Sequence, residues 1–149
     1  MNIEIREYGW EGCCISTDKA LLDFEVIHGY LSRESYWAKD RSAETTRRTI
    51  ENSLCFGVYD AAGRQAGFAR VITDYATFGW LCDLFVLDAY KGKGLGKWLV
   101  QTIVSSPDLR ALKRIQLATL DAHELYSGYG CFAALATPER WMERVQEKT

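Results

Sequence analysis

Leu84-Phe85-Val86-Leu87-Asp88-Ala89-Tyr90-Lys91-Gly92-Lys93-Gly94-Leu95-Gly96-Lys97-Trp98-Leu99 is the stretch on which the reading of this chain turns. An apolar run ends at Leu87, three alternate glycines follow, and Leu95, Trp98, Leu99 and Ile103 then recur at helical spacing. The pattern is a strand, a tight loop and a helix. Glycines remove side-chain bulk, so backbone N–H groups at Gly92, Gly94 and Gly96 can approach an anion closely. A helix N-terminus adds unpaired donors and a partial positive charge. Lys91, Lys93 and Lys97 add full positive charges. Such a loop suits a phosphate or pyrophosphate. It is not a Walker loop, because no Gly-Lys-Ser/Thr closes it, and its glycines do not follow G-x-G-x-x-G.

Working outward, residues 79–87 are apolar except for Asp83, as expected of a central strand covered on both faces. Residues 54–59 and 68–73 alternate as a pair of strands around the turn Asp60-Ala61-Ala62-Gly63, and a second turn spans 74–77. Earlier in the chain, residues 2–8 alternate like an edge strand. Ser16, Thr17 and Asp18 offer N-caps for a helix over about 18–31, carried by Ala20, Phe24, Ile27 and Leu31. A second helix is expected over about 43–52. Downstream, 115–119 reads as a short strand, 122–127 as a short helix, 131–136 as strand-like and 138–147 as a terminal helix. This order describes an α/β (α+β) fold, a mixed sheet with helices on its faces, in one domain over residues 1–149.

The composition fits that reading. The chain has 149 residues, 48% hydrophobic and 26% charged, enough for one domain with a substantial core. The net charge of −2 gives no general attraction to nucleic acid or to an anionic membrane. No basic segment followed by an apolar run opens the chain, and no stretch reaches 18 apolar residues, so neither a signal peptide nor a transmembrane helix is expected. Five cysteines, with no C-x-x-C pair, and two histidines argue for free thiols in a reducing cytoplasm and for no metal site. A homodimer is the ordinary expectation for a small protein of this kind.

Leu84 and Val86, followed by Lys91, Gly94 and Gly96, resemble the acyl-CoA-binding motif of the GNAT superfamily of N-acetyltransferases, with Lys91 where the family usually carries Arg or Gln. Downstream, Ala122-His123-Glu124-Leu125-Tyr126-Ser127-Gly128-Tyr129-Gly130-Cys131 is similar to the family's Ala-x-x-Leu-Tyr-x-x-x-Gly-Phe, with Cys131 in place of Phe. The resemblance implies a mostly antiparallel sheet of about six or seven strands with helices on both faces, and acetyl-CoA as co-substrate. It implies that backbone groups of Phe85 and Val86 bond the pantetheine amides, and that Phe85 N–H faces the thioester oxygen. Lys91, Gly92, Lys93, Gly94, Leu95, Gly96 and Lys97 would hold the pyrophosphate. Tyr126 would be the acid that protonates the departing sulfur, and Asp83 would meet the acceptor, a primary amine on a small molecule or peptide. The alternative is a non-catalytic acyl-CoA-binding sensor or interaction module.

The residues themselves leave some roles open. A free alkyl amine has a pKa near 10, so it must lose a proton before it attacks. Asp83 either faces a cleft as base or amine ligand, or pairs with Arg70 on the neighbouring strand. Tyr126 either donates a proton or packs its helix on the sheet. Asp74 is explained by turn chemistry, Tyr36 and Trp37 by a hydrophobic cluster or a lid, His123 by a solvated surface, and Cys82 by the core.

Overall fold

The computed structural model describes residues 3–147. Six strands form one sheet in chain order: β1 (Glu7–Trp10), β2 (Cys13–Ser16), β3 (Leu54–Tyr59), β4 (Gln65–Thr73), β5 (Phe78–Val86) and β6 (Arg114–Gln116). Neighbours from β1 to β5 are antiparallel, whereas β6 lies parallel to β5. A parallel neighbour requires a crossover, and the glycine loop with its helix provides it. The helices are α1 (Phe24–Gly29), α2 (Ala43–Glu51), α3 (Leu95–Val104) and α4 (His123–Gly130).

The core has two parts. Leu95, Leu99, Val100 and Ile103 of α3 and Tyr126 of α4 pack with Val58, Ala69, Val71 and Leu81 of the sheet. Ile27 of α1, with Leu31 and Ala38 beyond it, packs with Cys55, Phe68 and Phe85. Helices therefore cover both faces. On a regular strand Leu81 and Phe85, four residues apart, would share a face; here they fall in different clusters. The register explains it. Phe68 pairs with Phe85 and Arg70 with Cys82, so Asp83 and Leu84 stand together opposite Ala69. Asp83 has φ +54°. This β-bulge reverses the facing of β5 beyond it.

Several elements differ from the sequence reading. The edge strand expected over 2–8 is displaced. Asn2 lies outside the described residues, 3–6 are not strand, and β1 begins at Glu7 to make a hairpin with β2. Glu11 (φ 50°) and Gly12 (φ 78°) form its turn, and two successive positive φ angles suit a two-residue hairpin. The helix expected over 18–31 is split. Asp18 caps a short 3-10 turn at Lys19–Leu21, Leu22 and Asp23 are extended, and Asp23 caps α1 through Val26 N–H. The Asp23 N–H is bonded instead to Gln65 Oε1 at 2.7 Å, so a tertiary contact breaks the helix at a residue whose side chain favours a cap. A wide π turn, Tyr30–Glu34, continues α1. Residues 131–136 form no strand, and 138–147 contain only a 3-10 turn at Pro138–Arg140. Met142 and Val145 are exposed, so no apolar face holds a helix there.

Candidate active site

The site begins where β5 loses a neighbour. β6 pairs with β5 only at Phe78, Gly79 and Trp80, while β5 runs on to Val86. Its far edge is therefore open over its last residues. Leu87 N–H donates to Ala66 O at 2.8 Å, on the β4 side. Alternation in an antiparallel ladder turns Phe85's backbone groups to the same side, toward Phe68. Those of Leu84 and Val86 then face the open edge. The Phe85 ring lies on the other face of the sheet, stacked on Tyr30 with centroids 4.2 Å apart.

The glycine loop sits at the end of this edge. A 3-10 turn, Asp88–Tyr90, leads into it. Tyr90 Oη donates to Asp60 Oδ2 at 2.6 Å, tying the loop to the β3–β4 turn. Gly92 and Gly94 have φ +81° and +83°, the left-handed region that favours glycine. Gly94 is the N-cap of α3 and offers no side-chain cap. Its carbonyl takes the first helical bond, from Trp98 N–H. The N–H groups of Leu95, Gly96 and Lys97 thus have no partner within the helix, and no acid stands in the first turn. A side chain at Gly92 would enter open space. The cradle fits a diphosphate. Lys93 and Lys97 lie over the rings of Tyr90 and Tyr129, and Lys91 is paired with Asp88 at 2.7 Å, whose carboxylate raises the lysine's pKa.

Asp83 meets the partner expected of it and two more. Its Oδ2 accepts from Arg70 Nε and Arg41 Nη1, each at 2.7 Å. Its Oδ1 accepts from Trp37 Nε1 at 2.8 Å and Arg41 Nη2 at 3.5 Å. A carboxylate has about four lone-pair sites, and all are taken. Burial pushes the Asp83 carboxyl up, but the bond from Arg41 and the charge and bond of Arg70 outweigh it and hold the pKa below the usual range.

Tyr126 projects from α4 into the core, only 9% exposed, with its ring edge-on to Phe132. Burial pushes its pKa up to about 12, with Tyr36, Cys82 and Asp121 as the titratable groups that add to the shift. Tyr36 Oη accepts from Leu120 N–H at 2.8 Å. The segment with Tyr36, Trp37 and Arg41 therefore spans from the β6–α4 connection to the β5 bulge. Asp74 closes its own turn by accepting from Ala76, Thr77 and Phe78 N–H. Sequence reasoning missed Arg41, Leu84 as an edge residue, and Trp10, whose ring packs on Trp98 and against Gly94. The bulge's only sequence trace is a lone Asp in an apolar strand.

The Acetyltransferase (GNAT) family matches residues 24–130. A Gibberella zeae protein assigned as an acetyltransferase is 33% identical over 134 residues, covering 75% of this chain and 74% of that protein. A Xanthomonas campestris pv. campestris crystal structure assigned to the GNAT family has 46% identity and a TM-score of 0.87, covering 93% of this chain and 96% of its own. A Clostridium acetobutylicum structure, described with acetyl-CoA, has 14% identity and a TM-score of 0.60, with 95% of each chain covered, and so shares the fold.

Proposed function

Since this chain belongs to the GNAT acetyltransferase family, we propose that it moves an acetyl group from acetyl-CoA to a primary amine by direct attack. The observation that carries this reading is the open edge of β5, which runs straight into an uncapped helix N-terminus lined with lysines. An extended amide-bearing arm suits the first and a diphosphate the second.

When bound, acetyl-CoA supplies an activated thioester carbonyl. The protein's residues do the rest. Val86 N–H and C=O bond the arm's amides. Lys91, Gly92, Lys93, Gly94, Leu95, Gly96 and Lys97 hold the diphosphate with backbone donors and charge. Leu84 N–H, on the open edge beside the bulge, takes the oxyanion role first expected of Phe85. Such a donor, fixed before the charge develops, is typically worth about 3–4 kcal/mol. The amine nitrogen forms the C–N bond and the C–S bond breaks. Tyr126, protonated at neutral pH, gives its proton to the departing sulfur. Asp83 holds Arg41, Arg70 and Trp37 and takes no proton. The amine loses one proton to water before it attacks as the free base and a second to water as the amide forms, and Tyr126 regains its proton from solvent.

A second reading, an acyl-CoA-binding module without turnover, draws on the saturated Asp83 carboxylate, which removes the acid residue expected to serve as base. Calorimetric titration with acetyl-CoA, with ATP as comparison, followed by product detection with an amine panel, separates the two. Tight acetyl-CoA binding with an acetylated product supports the enzyme, and binding with no product from any amine supports the module. Absence of acetyl-CoA binding sinks both.

A further inference from the structure

One carboxylate faces two permanent positive charges beneath the segment that spans residues 36–41. Among the described residues no other acid lies within ion-pair distance of Arg41 or Arg70, so the group carries a net single positive charge. Solvent reaches the three side chains unequally: 1% exposure for Asp83, 8% for Arg70 and 18% for Arg41. Arg70 is committed inward, with Nε on Asp83 and Nη1 on Ser53 Oγ at 3.1 Å. Arg41 sends two N–H groups to Asp83, and a guanidinium has five. The outermost member of the group is thus the one with donors to spare.

The place matters as much as the charge. Asp83 directly precedes Leu84, whose N–H faces the open edge. Trp37 bonds to Asp83, and Tyr36 bonds to the loop ahead of Tyr126. Arg41 therefore stands beside the point where the acceptor must meet the thioester, on the face of the sheet that carries α1 and α2. An acceptor with no negative group would bring its cationic amine against an uncompensated positive charge. A single guanidinium charge with a planar fork matches a carboxylate in both charge and geometry.

We propose that the acceptor is an amino-carboxylate, a small molecule that carries its primary amine and a carboxylate a few bonds apart, and that Arg41 is the residue that takes the carboxylate. The inference rests on the acetyl-transfer reading above. Asp83 and Trp37 then act as positioning residues, fixing the fork of Arg41.

The test uses the full chain saturated with CoA. N-acetylglycine, N-acetylalanine, N-acetylphenylalanine and N-acetyl-β-alanine are titrated calorimetrically, each against its own carboxamide. At least one acid is expected to bind about 10- to 100-fold more tightly than its carboxamide, the range for a hydrogen bond between charged partners. In Arg41→Gln that preference collapses toward one, while acetyl-CoA affinity, which the glycine loop and the β5 edge supply, stays near wild type. Arg41→Lys restores part of the preference. The proposal is overturned if no acid outbinds its carboxamide, or if Arg41→Gln weakens acid and carboxamide alike. Because these probes need no turnover, the role of Arg41 is decided even in a protein that binds acetyl-CoA but rejects every amine. Loss of acetyl-CoA binding in the wild type, by contrast, strikes the underlying reading.

Discussion

Four hydrogen bonds converge on the Asp83 carboxylate, and removing its charge would leave two guanidinium groups side by side with nothing between them. Asp83→Asn is expected to cost about 3–5 kcal/mol, the usual penalty for stripping one partner from a buried ion group, measured as a shift in urea midpoint at constant slope. A loss under about 1 kcal/mol, the scale of an exposed pair, would mean that water replaces the carboxylate. At Tyr126 the expectation is kinetic. Tyr126→Phe should lower kcat roughly 100-fold, as for a lost general acid, with acetyl-CoA affinity unchanged. With a pKa near 12, the phenol holds its proton through the neutral range, so it contributes no alkaline limb to kcat below about pH 11. Arg70 was legible as a partner of Asp83 because two neighbouring strands carry them. Arg41 and Trp37 were not, because they lie 42 and 46 residues away in a polar stretch with no periodicity.

The α3 N-terminus offers a sharper dissection than residue deletion. A side chain at Gly94 would be strained by its positive φ and pressed on Trp10 at 3.2 Å, so a change there confounds folding with binding. Gly96 lies inside the first turn, where an added Cβ meets only Val86 at 3.8 Å. Gly96→Glu should leave the fold intact or slightly firmer, since a carboxylate near a helix N-terminus is favourable. It should also weaken acetyl-CoA binding at least roughly 10-fold by placing negative charge in the diphosphate cradle. Equal calorimetric affinity in the folded variant would remove the loop from the cofactor site. This loop and the β3–β4–β5 meander were readable in the sequence because their signals are local: glycines, alternation and turns. The β1–β2 hairpin was not, because its turn, Glu11-Gly12, is a weak version of the Asn-Gly signal. The chain end misled for the opposite reason: residues 131–147 have apolar spacing, but past Phe132, which packs on Tyr126, Met142 and Val145 are left exposed.

Across the whole molecule, acidity should act on stability and activity through different groups. Asp83 is held below its ordinary pKa in the folded state, so its contribution is full above the unfolded carboxylate value of about 4. That contribution disappears as pH falls through the lower folded value. Acid unfolding followed by circular dichroism should therefore steepen below about pH 4, and Asp83→Asn should lack that component. Activity should follow the acceptor instead. With no enzymic carboxylate acting as base, kcat/KM should climb about tenfold per pH unit until it nears the amine's own pKa. A plateau beginning near about pH 5–6 would reveal a protein base other than the residues named here.

The extra residue in β5 also governs how the gene can change. Asp83 and Leu84 share the place opposite Ala69, while Phe85 pairs with Phe68 and Val86 with Gly67 beyond them. Deleting the Asp83 codon would leave Leu84 alone opposite Ala69 and Phe85 still opposite Phe68, so the strand would become regular with its facing kept, and what would vanish is the carboxylate between Arg41 and Arg70. The sheet can therefore lose this one residue without changing register, and related chains that lack the carboxylate pair should align here with a gap of a single residue.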